Sequence, residues 1–152
     1  MADSPTALQK AVAFLARREH SRHELRNKLG QRDFEAAEIE QALEELYENG
    51  LQSDERFAEA FVQSRIARGY GLMRIIAELR QRGIEENIAA RVIDDVMSEA
   101  EANWFDLAYT CYVKKYGTTQ PADYNESGKR LRFLQQRGFS AEQCQQALKR
   151  AQ

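Results

Sequence analysis

The chain has 152 residues, of which 43% are hydrophobic and 30% charged, and its net charge is only −2. This balance is typical of a globular protein and excludes a disordered chain, while the small net charge gives no overall sign of a polyanionic partner. No apolar run reaches the roughly 18 residues that a membrane span needs, and no signal peptide opens the sequence. Cys111 and Cys144 form no metal-type cluster. We therefore expect a cytoplasmic protein with two buried free thiols.

Helical spacing of apolar residues dominates the sequence and predicts an all-α fold. The first helix is predicted to start at the Ser4-Pro5 pair and to run to about Arg18. Ser21 with Glu24 forms a capping-box pattern for the second helix. The third helix is predicted to end at Asn49-Gly50, in the left-handed conformation that glycine favours.

The same plan then restarts twice. A cap, a glycine break and a glycine stop divide the next copy into helices, and the last copy repeats the plan with a longer loop after its first helix. The predicted caps and breaks, in order, are Ser53, Gly69-Tyr70-Gly71, Gly83, Asp123 and Ser140, and the last copy is predicted to begin near Trp104.

An internal repeat accounts for this recurrence. An offset of 50 residues carries Leu25 to Ile75 and Leu29 to Leu79. Beyond the longer loop the offset becomes 55, which carries the Arg-Gly-apolar triplet at 82–84 onto the one at 137–139. These matches predict three tandem three-helix repeats at residues 1–50, 51–98 and 99–152, which form an elongated, curved array.

Charge alternates in sign along the chain. Residues 17–32 hold six basic and two acidic residues, residues 60–84 hold five Arg against Glu78, and residues 114–152 hold eight basic and three acidic residues. The segments between them are acidic. A basic stripe that binds a polyanion or an acidic protein groove is one interpretation. The other is a set of solvated faces that neighbouring acidic helices neutralise.

The residues predicted to bind a partner or nucleic acid are basic, apart from one tyrosine between two glycines. Tyr70 could be an exposed contact residue, or it could fill the junction between two helices. The candidates are Arg17, Arg18, Arg22, Arg26, Lys28, Arg65, Arg68, Tyr70, Arg74, Arg80, Arg82, Lys129, Arg130, Arg132 and Arg137.

Signals for catalysis, metals and cofactors are weak. His20 and His23 have no Cys or third His nearby, so we interpret them as a surface pair rather than metal ligands. The sequence has no glycine-rich phosphate loop and no residues for a nucleophilic triad. We expect a protein that is not an enzyme and needs no cofactor. Base reading by a helix-turn-helix is disfavoured because the third helices of the first two repeats are acidic.

Three passages resemble the RecX family of bacterial regulators of the RecA recombinase. They are HSRHELRNKL at 20–29, SDERFAEAFVQSRIARGYGLMRIIAELRQRGI at 53–84 and RFLQQRGFSAEQCQQAL at 132–148, and with their spacing they cover nearly the whole chain. The chain departs from the family pattern at Leu72, where proline is frequent, and at Arg82, where lysine is frequent.

The resemblance implies a modular array of three-helix repeats that binds in the groove of the RecA filament on single-stranded DNA. It further implies inhibition of RecA ATP hydrolysis, strand exchange and co-protease activity, in recombination, DNA repair and the SOS response. We expect a monomer with no membrane association. The alternative hypothesis is a general DNA-binding helical repeat protein that acts on DNA without RecA.

Overall fold

The computed structural model describes residues 4–152, which form nine α-helices and no strand. The predicted all-α fold is therefore confirmed for this part of the chain. No helix within it is long and apolar enough to span a membrane. The helices are α1 (Ala7–Arg17), α2 (Arg22–Gly30), α3 (Ala36–Glu48), α4 (Asp54–Ala67), α5 (Leu72–Gln81), α6 (Glu86–Glu99), α7 (Trp104–Tyr116), α8 (Tyr124–Arg137) and α9 (Ala141–Arg150).

One compact unit comprises the described residues up to Ala60 together with Leu79–Ala89. Helices α1, α2 and α3 pack around a buried apolar cluster within it. Its members recur at the helical spacing seen in the sequence, so periodicity alone selects most of them. They are Ala7, Ala11, Leu25, Leu29, Ile39, Ala42, Leu43 and Leu46.

The second unit comprises Phe61–Glu78 and Ala90–Gln152, and helices α7, α8 and α9 form its apolar cluster. Cys111 and Cys144 are buried and free, as predicted. Burial raises the pKa of Cys144 to about 11 and raises that of Cys111 as well. Both thiols therefore stay protonated near neutral pH and behave as small apolar core residues.

Helix starts follow the predicted caps, with one exception. Ser21 and Ser140 form complete capping boxes, and Asp123 caps α8. The prediction for the first helix is wrong. Thr6, not Ser4, caps α1: its hydroxyl accepts from the Gln9 amide while the Gln9 side chain accepts from the Thr6 amide. This reciprocal pair satisfies two backbone donors, which gives it the advantage over a cap at Ser4.

The two Arg-Gly-apolar triplets end second helices at places where another part of the chain lies very close to the glycine. A Cβ on Gly83 would lie 2.5 Å from the Cβ of His23, near the start of α2. A Cβ on Gly138 would lie 2.6 Å from the Cβ of Arg74, near the start of α5. Both glycines also have positive φ, of +77° and +108°. The repeated glycine is therefore required by its conformation and by the space available.

Backbone hydrogen bonds lock the second of these junctions. The Gly71 amide donates to the Arg137 carbonyl oxygen at 2.7 Å, and the Met73 amide donates to the Gly138 carbonyl oxygen at 3.0 Å. Amides at the start of a helix have no partner within the helix, so these bonds satisfy donors of α5. A Cβ on Gly71 would lie 2.5 Å from the Gly138 carbonyl carbon.

His20 is buried, with 1% of its surface exposed, so its interpretation as part of a surface pair is wrong. Its Nδ1 donates to the Arg18 carbonyl oxygen at 3.0 Å, which leaves Nε2 as the acceptor for the Lys28 ammonium at 2.8 Å. The Phe14 ring lies beside it, with ring centroids 5.9 Å apart. Burial is the main cause that lowers the pKa of His20, and the positive charges of Arg18 and Lys28 lower it further.

Gly71→Ala should destabilise the protein by about 1–3 kcal/mol, the usual cost of forcing atoms into a packed site. Chemical denaturation measures the loss. Gly30→Ala is the matched control, because nothing lies within 4 Å of a Cβ there and its φ is not positive. Equal stability of the two variants would contradict the close packing at the Gly71–Gly138 junction.

The free energy of unfolding should fall as the pH is lowered through the His20 transition. The folded state binds a proton at His20 less readily than the unfolded state, so stability is complete above about pH 6.5 and declines below it. Denaturation at pH 7.5 and 5.5 tests this, with His20→Gln as the comparison. A decline of the same size in His20→Gln would exclude His20 as its source.

Candidate binding surface

Carboxylates on neighbouring helices neutralise most of the basic candidates from residues 17–32. Arg22 pairs with Glu44 at 3.1 Å, and Arg26 pairs with Glu40 at 2.6 Å. The hydrogen bond between Arg26 and Glu40 raises the pKa of the arginine and lowers that of the glutamate. In this segment, therefore, most of the basic candidates belong to solvated faces that neighbouring acidic side chains neutralise. Arg18 forms an ion pair with Glu24, and the Lys28 ammonium contacts the His20 ring. Arg17 is exposed and makes no ion pair with another described residue.

In the central basic segment, Glu78 binds two of the candidate arginines. Arg65 Nε donates to one Glu78 carboxylate oxygen at 2.7 Å, and Arg74 Nε donates to the other at 3.1 Å. Burial opposes ionisation of Glu78, but the hydrogen bonds from the two guanidinium groups outweigh it, and the pKa of the carboxyl is lowered. Glu78 therefore orients Arg65 and Arg74 as a rigid pair.

The remaining central candidates differ in exposure. Arg80 pairs with Glu86 at 3.0 Å, but both side chains are largely exposed, at 68% and 83%. Such a pair contributes little and exchanges readily for another anion. Arg82 is half-buried, with Nε 3.9 Å from Glu24. Arg68 is exposed and makes no ion pair with the described residues.

Tyr70 is half-buried, and three guanidinium groups lie against its ring, an arrangement we call the Tyr70 cluster. The guanidinium carbons of Arg74, Arg137 and Arg65 lie 4.3, 4.7 and 5.5 Å from the ring centroid. Arginine packs well on aromatic faces, because a cation is attracted to the ring and the planar group fits against it. Tyr70 therefore fills a junction between α4, α5 and the end of α8, and it positions arginines there.

Arg130 does not belong to a binding surface, which corrects the sequence-based prediction. Only 4% of it is exposed. Its guanidinium donates to the Tyr112 hydroxyl at 2.8 Å, to the Thr119 carbonyl oxygen at 2.6 Å and to Glu126 at 2.7 Å. The loop between α7 and α8 folds over this side chain, so Arg130 fastens the loop to the helices. Lys129 and Arg132, its neighbours, are exposed.

One group of cations was not recognised as a site from the sequence. Lys114 and Lys115, at the end of α7, line a cleft together with Arg68 and Arg137. The sequence pattern identified Lys114 and Lys115 as part of a basic segment. It gave no signal that this segment lies beside Arg68, because the two are more than 40 residues apart.

Among residues 4–152, no group of three or more His, Cys, Asp or Glu side chains could hold a metal ion. The polar groups brought together at these surfaces are cations, tyrosine and structural carboxylates. What this arrangement offers chemically is electrostatic and hydrogen-bonded recognition of anions.

Three family models match the chain, and they are described as the first, second and third three-helix domains of RecX. They match residues 7–46, 53–93 and 101–148 respectively. The chain belongs to the RecX family. The repeat boundaries at 1–50, 51–98 and 99–152 remain a prediction, and each matched range falls within one of them.

Relatives in the RecX family align with almost the whole chain. The regulatory protein RecX of Halorhodospira halophila is 42% identical, over 96% of this chain and 88% of that protein. The regulatory protein RecX of Chromohalobacter salexigens is 41% identical, over 96% of this chain and 93% of that protein. The alignments therefore include all three matched domains.

Solved structures of RecX proteins show the same fold. The crystal structure of RecX from Lactobacillus salivarius superimposes with a TM-score of 0.72 at 21% identity, covering 95% of this chain and 94% of that one. A second crystal structure, of a regulatory protein RecX, gives a TM-score of 0.74 at 23% identity and covers 95% of this chain and 70% of that one. The three-helix organisation predicted from the internal repeat is confirmed.

Arg130→Gln should lower the free energy of unfolding by about 1–3 kcal/mol, because it removes the hydrogen bonds of the guanidinium and leaves the buried Tyr112 hydroxyl without its charged donor. Chemical denaturation measures the change. Arg132→Gln is the matched control two residues away on the exposed face and should stay within about 0.5 kcal/mol of the unsubstituted protein. If both variants were equally stable, Arg130 would return to the set of surface candidates.

Proposed function

We propose that this chain is a non-enzymatic regulator that binds the RecA filament on single-stranded DNA and inhibits the ATPase, strand-exchange and co-protease activities of RecA. It would act in the cytoplasm as a monomer, in recombination, DNA repair and the SOS response. The observation that carries the proposal is the match of all three RecX three-helix domains along one chain. The relatives' name, regulatory protein RecX, supports a regulatory role.

The distribution of available cations supports binding to an anionic partner. Some candidates are committed to the fold, as Arg65 is to Glu78 and Arg130 is to Glu126. Others are exposed and either lack an ion pair with the described residues or share a weak one. They are the contact residues that we propose: Arg17, Arg68, Arg80, Lys129 and Arg132.

Inhibition by binding alone requires no chemistry from this chain. A ligand shifts a conformational equilibrium only by the difference between its affinities for the two states. We propose that the chain binds better to a filament state that hydrolyses ATP slowly. A hundredfold preference would shift that equilibrium by about 2.7 kcal/mol.

Charge reversal at Arg68 and Arg80 should weaken inhibition of RecA. The Arg68→Glu/Arg80→Glu variant replaces two exposed cations with carboxylates that an anionic partner repels. We expect the concentration for half-maximal inhibition of DNA-dependent ATP hydrolysis by RecA to rise about tenfold or more, equivalent to about 1.4 kcal/mol. A steady-state ATPase assay with RecA on single-stranded DNA measures this.

Lys10→Glu/Lys149→Glu is the matched control for this prediction. It changes the net charge by the same amount at positions outside the proposed contact set. Circular dichroism should show that both variants remain folded. Unchanged inhibition by a folded Arg68→Glu/Arg80→Glu protein would remove these two residues from the interface.

A general DNA-binding protein that acts without RecA is the second candidate. The exposed cations favour it as well, because phosphate contacts need no particular protein partner. This function requires tight binding to naked strands that weakens steeply with salt. A mobility-shift assay at two salt concentrations, with and without RecA, separates the two functions. Binding of equal strength in both arms would favour the second.

A further inference from the structure

A concave surface of the second compact unit lies between the end of α4 and the C-terminal turns of α7 and α8. Its volume is about 320 Å³. Arg68, Lys114, Lys115 and Arg137 line it together with apolar side chains such as Ile66 and Phe133, and no acidic residue lines it. None of these four cations makes an ion pair with another described residue. A cleft of this size is at the lower end of the range for small-ligand sites.

Helix dipoles account for only part of this positive charge. Helices α4, α7 and α8 end at Ala67, Tyr116 and Arg137, and the C-terminus of each carries about half a negative charge. Cations near helix ends are common for this reason. Three such ends supply a total of about −1.5. Four full positive charges exceed this by about +2.5, so the helix ends alone do not neutralise the cleft.

The four cations have different roles within the cleft. Arg137 lies against the rings of Tyr70 and Phe133, 4.7 and 5.5 Å from their centroids, and its buried Nε has no hydrogen-bond partner. Its place is fixed. Arg68, Lys114 and Lys115 are exposed, so their donors are accessible to a ligand, and the Lys115 ammonium also lies 4.7 Å from the centroid of the Phe133 ring. The cleft thus combines one held guanidinium with three accessible cations.

The side-chain types suit a phosphate ligand. A lysine ammonium binds phosphate as a compact point charge, and an arginine guanidinium can bind it through two parallel hydrogen bonds. Two of the three accessible cations are lysines. The apolar part of the lining suits a sugar or a base attached to the phosphate, since sites for single-stranded nucleic acid combine cations with apolar and aromatic surface.

We propose that this cleft binds a phosphate ester of single-stranded nucleic acid, with Arg68, Lys114 and Lys115 as its phosphate ligands and the apolar lining against the attached nucleoside. The inference rests on the proposed function in one respect: it takes single-stranded nucleic acid as the source of the phosphate. The binding itself needs no RecA.

Fluorescence anisotropy with a labelled oligothymidylate of about twelve nucleotides tests the proposal in the absence of RecA. Lys114→Gln/Lys115→Gln should weaken binding about tenfold and flatten the slope of log affinity against log salt by about 1.4, which is the loss of two single-strand phosphate contacts. Lys10→Gln/Lys149→Gln loses the same charge elsewhere and should change the affinity less than about twofold. Equal losses in the two variants would show a net-charge effect and overturn the site.

Amide chemical shifts in ¹⁵N-labelled protein locate the ligand and identify its class. The oligonucleotide and thymidine monophosphate should shift the amides of Arg68, Gly69, Lys114 and Lys115. A hexaglutamate peptide at the same concentration should shift them far less. Equal shifts with the peptide would overturn the choice of phosphate. Shifts with the monophosphate but not with the oligonucleotide would overturn the strand as its source.

The RecA ATPase assay keeps this inference separate from the proposed function. If the unsubstituted protein binds the oligonucleotide through the cleft but does not inhibit RecA, the site stands and the proposed function fails. If it inhibits RecA while Lys114→Gln/Lys115→Gln binds the oligonucleotide normally, the proposed function stands and the site fails.

Discussion

Close packing against glycine is the constraint on which much of this structure depends. Gly138 ends α8 against the backbone at Gly71 and the Cβ of Arg74, and two backbone hydrogen bonds fix the start of α5 there. Arg137, the residue before this glycine, is thereby brought against the Tyr70 ring. Gly83 lies equally close to the side chain of His23. A close approach at glycine thus recurs along the chain, and an arginine precedes the glycine each time.

Charge in this protein is divided between structure and surface. Glu78, Glu40, Glu44 and Glu126 hold arginines in defined places, so a count of basic residues overstates what a partner can contact. Of the exposed cations without such a partner, Arg17 and Arg68 lie at helix ends, and Lys129 and Arg132 lie within α8. A net charge near zero is therefore compatible with locally basic surfaces, because a nearby ligand responds to the field of the surface it meets rather than to the net charge.

The helices and their core could be predicted because each depends on local patterns: Leu25 and Leu29, both fully buried, stand at helical spacing on one face of α2. The burial of His20 and Arg130 could not be predicted from local patterns. Each depends on partners brought by folding: Phe14 and Lys28 around His20, and the Thr119 carbonyl and Tyr112 around Arg130. The cleft was not predicted for the same reason, because Arg68 and Lys114 are distant in sequence and come together only on folding. The start of α1 was missed because a reciprocal cap at Thr6 competes with Ser4.

The claim that this chain regulates RecA by binding alone is tested most directly by titrating the unsubstituted protein into RecA on single-stranded DNA. ATP hydrolysis and the amount of protein that sediments with the filament should be measured in the same samples. The account predicts that hydrolysis falls in proportion to the bound protein, saturates with it and recovers when the protein is competed away. Undiminished hydrolysis with the folded protein bound, or the absence of filament-bound protein, would contradict it.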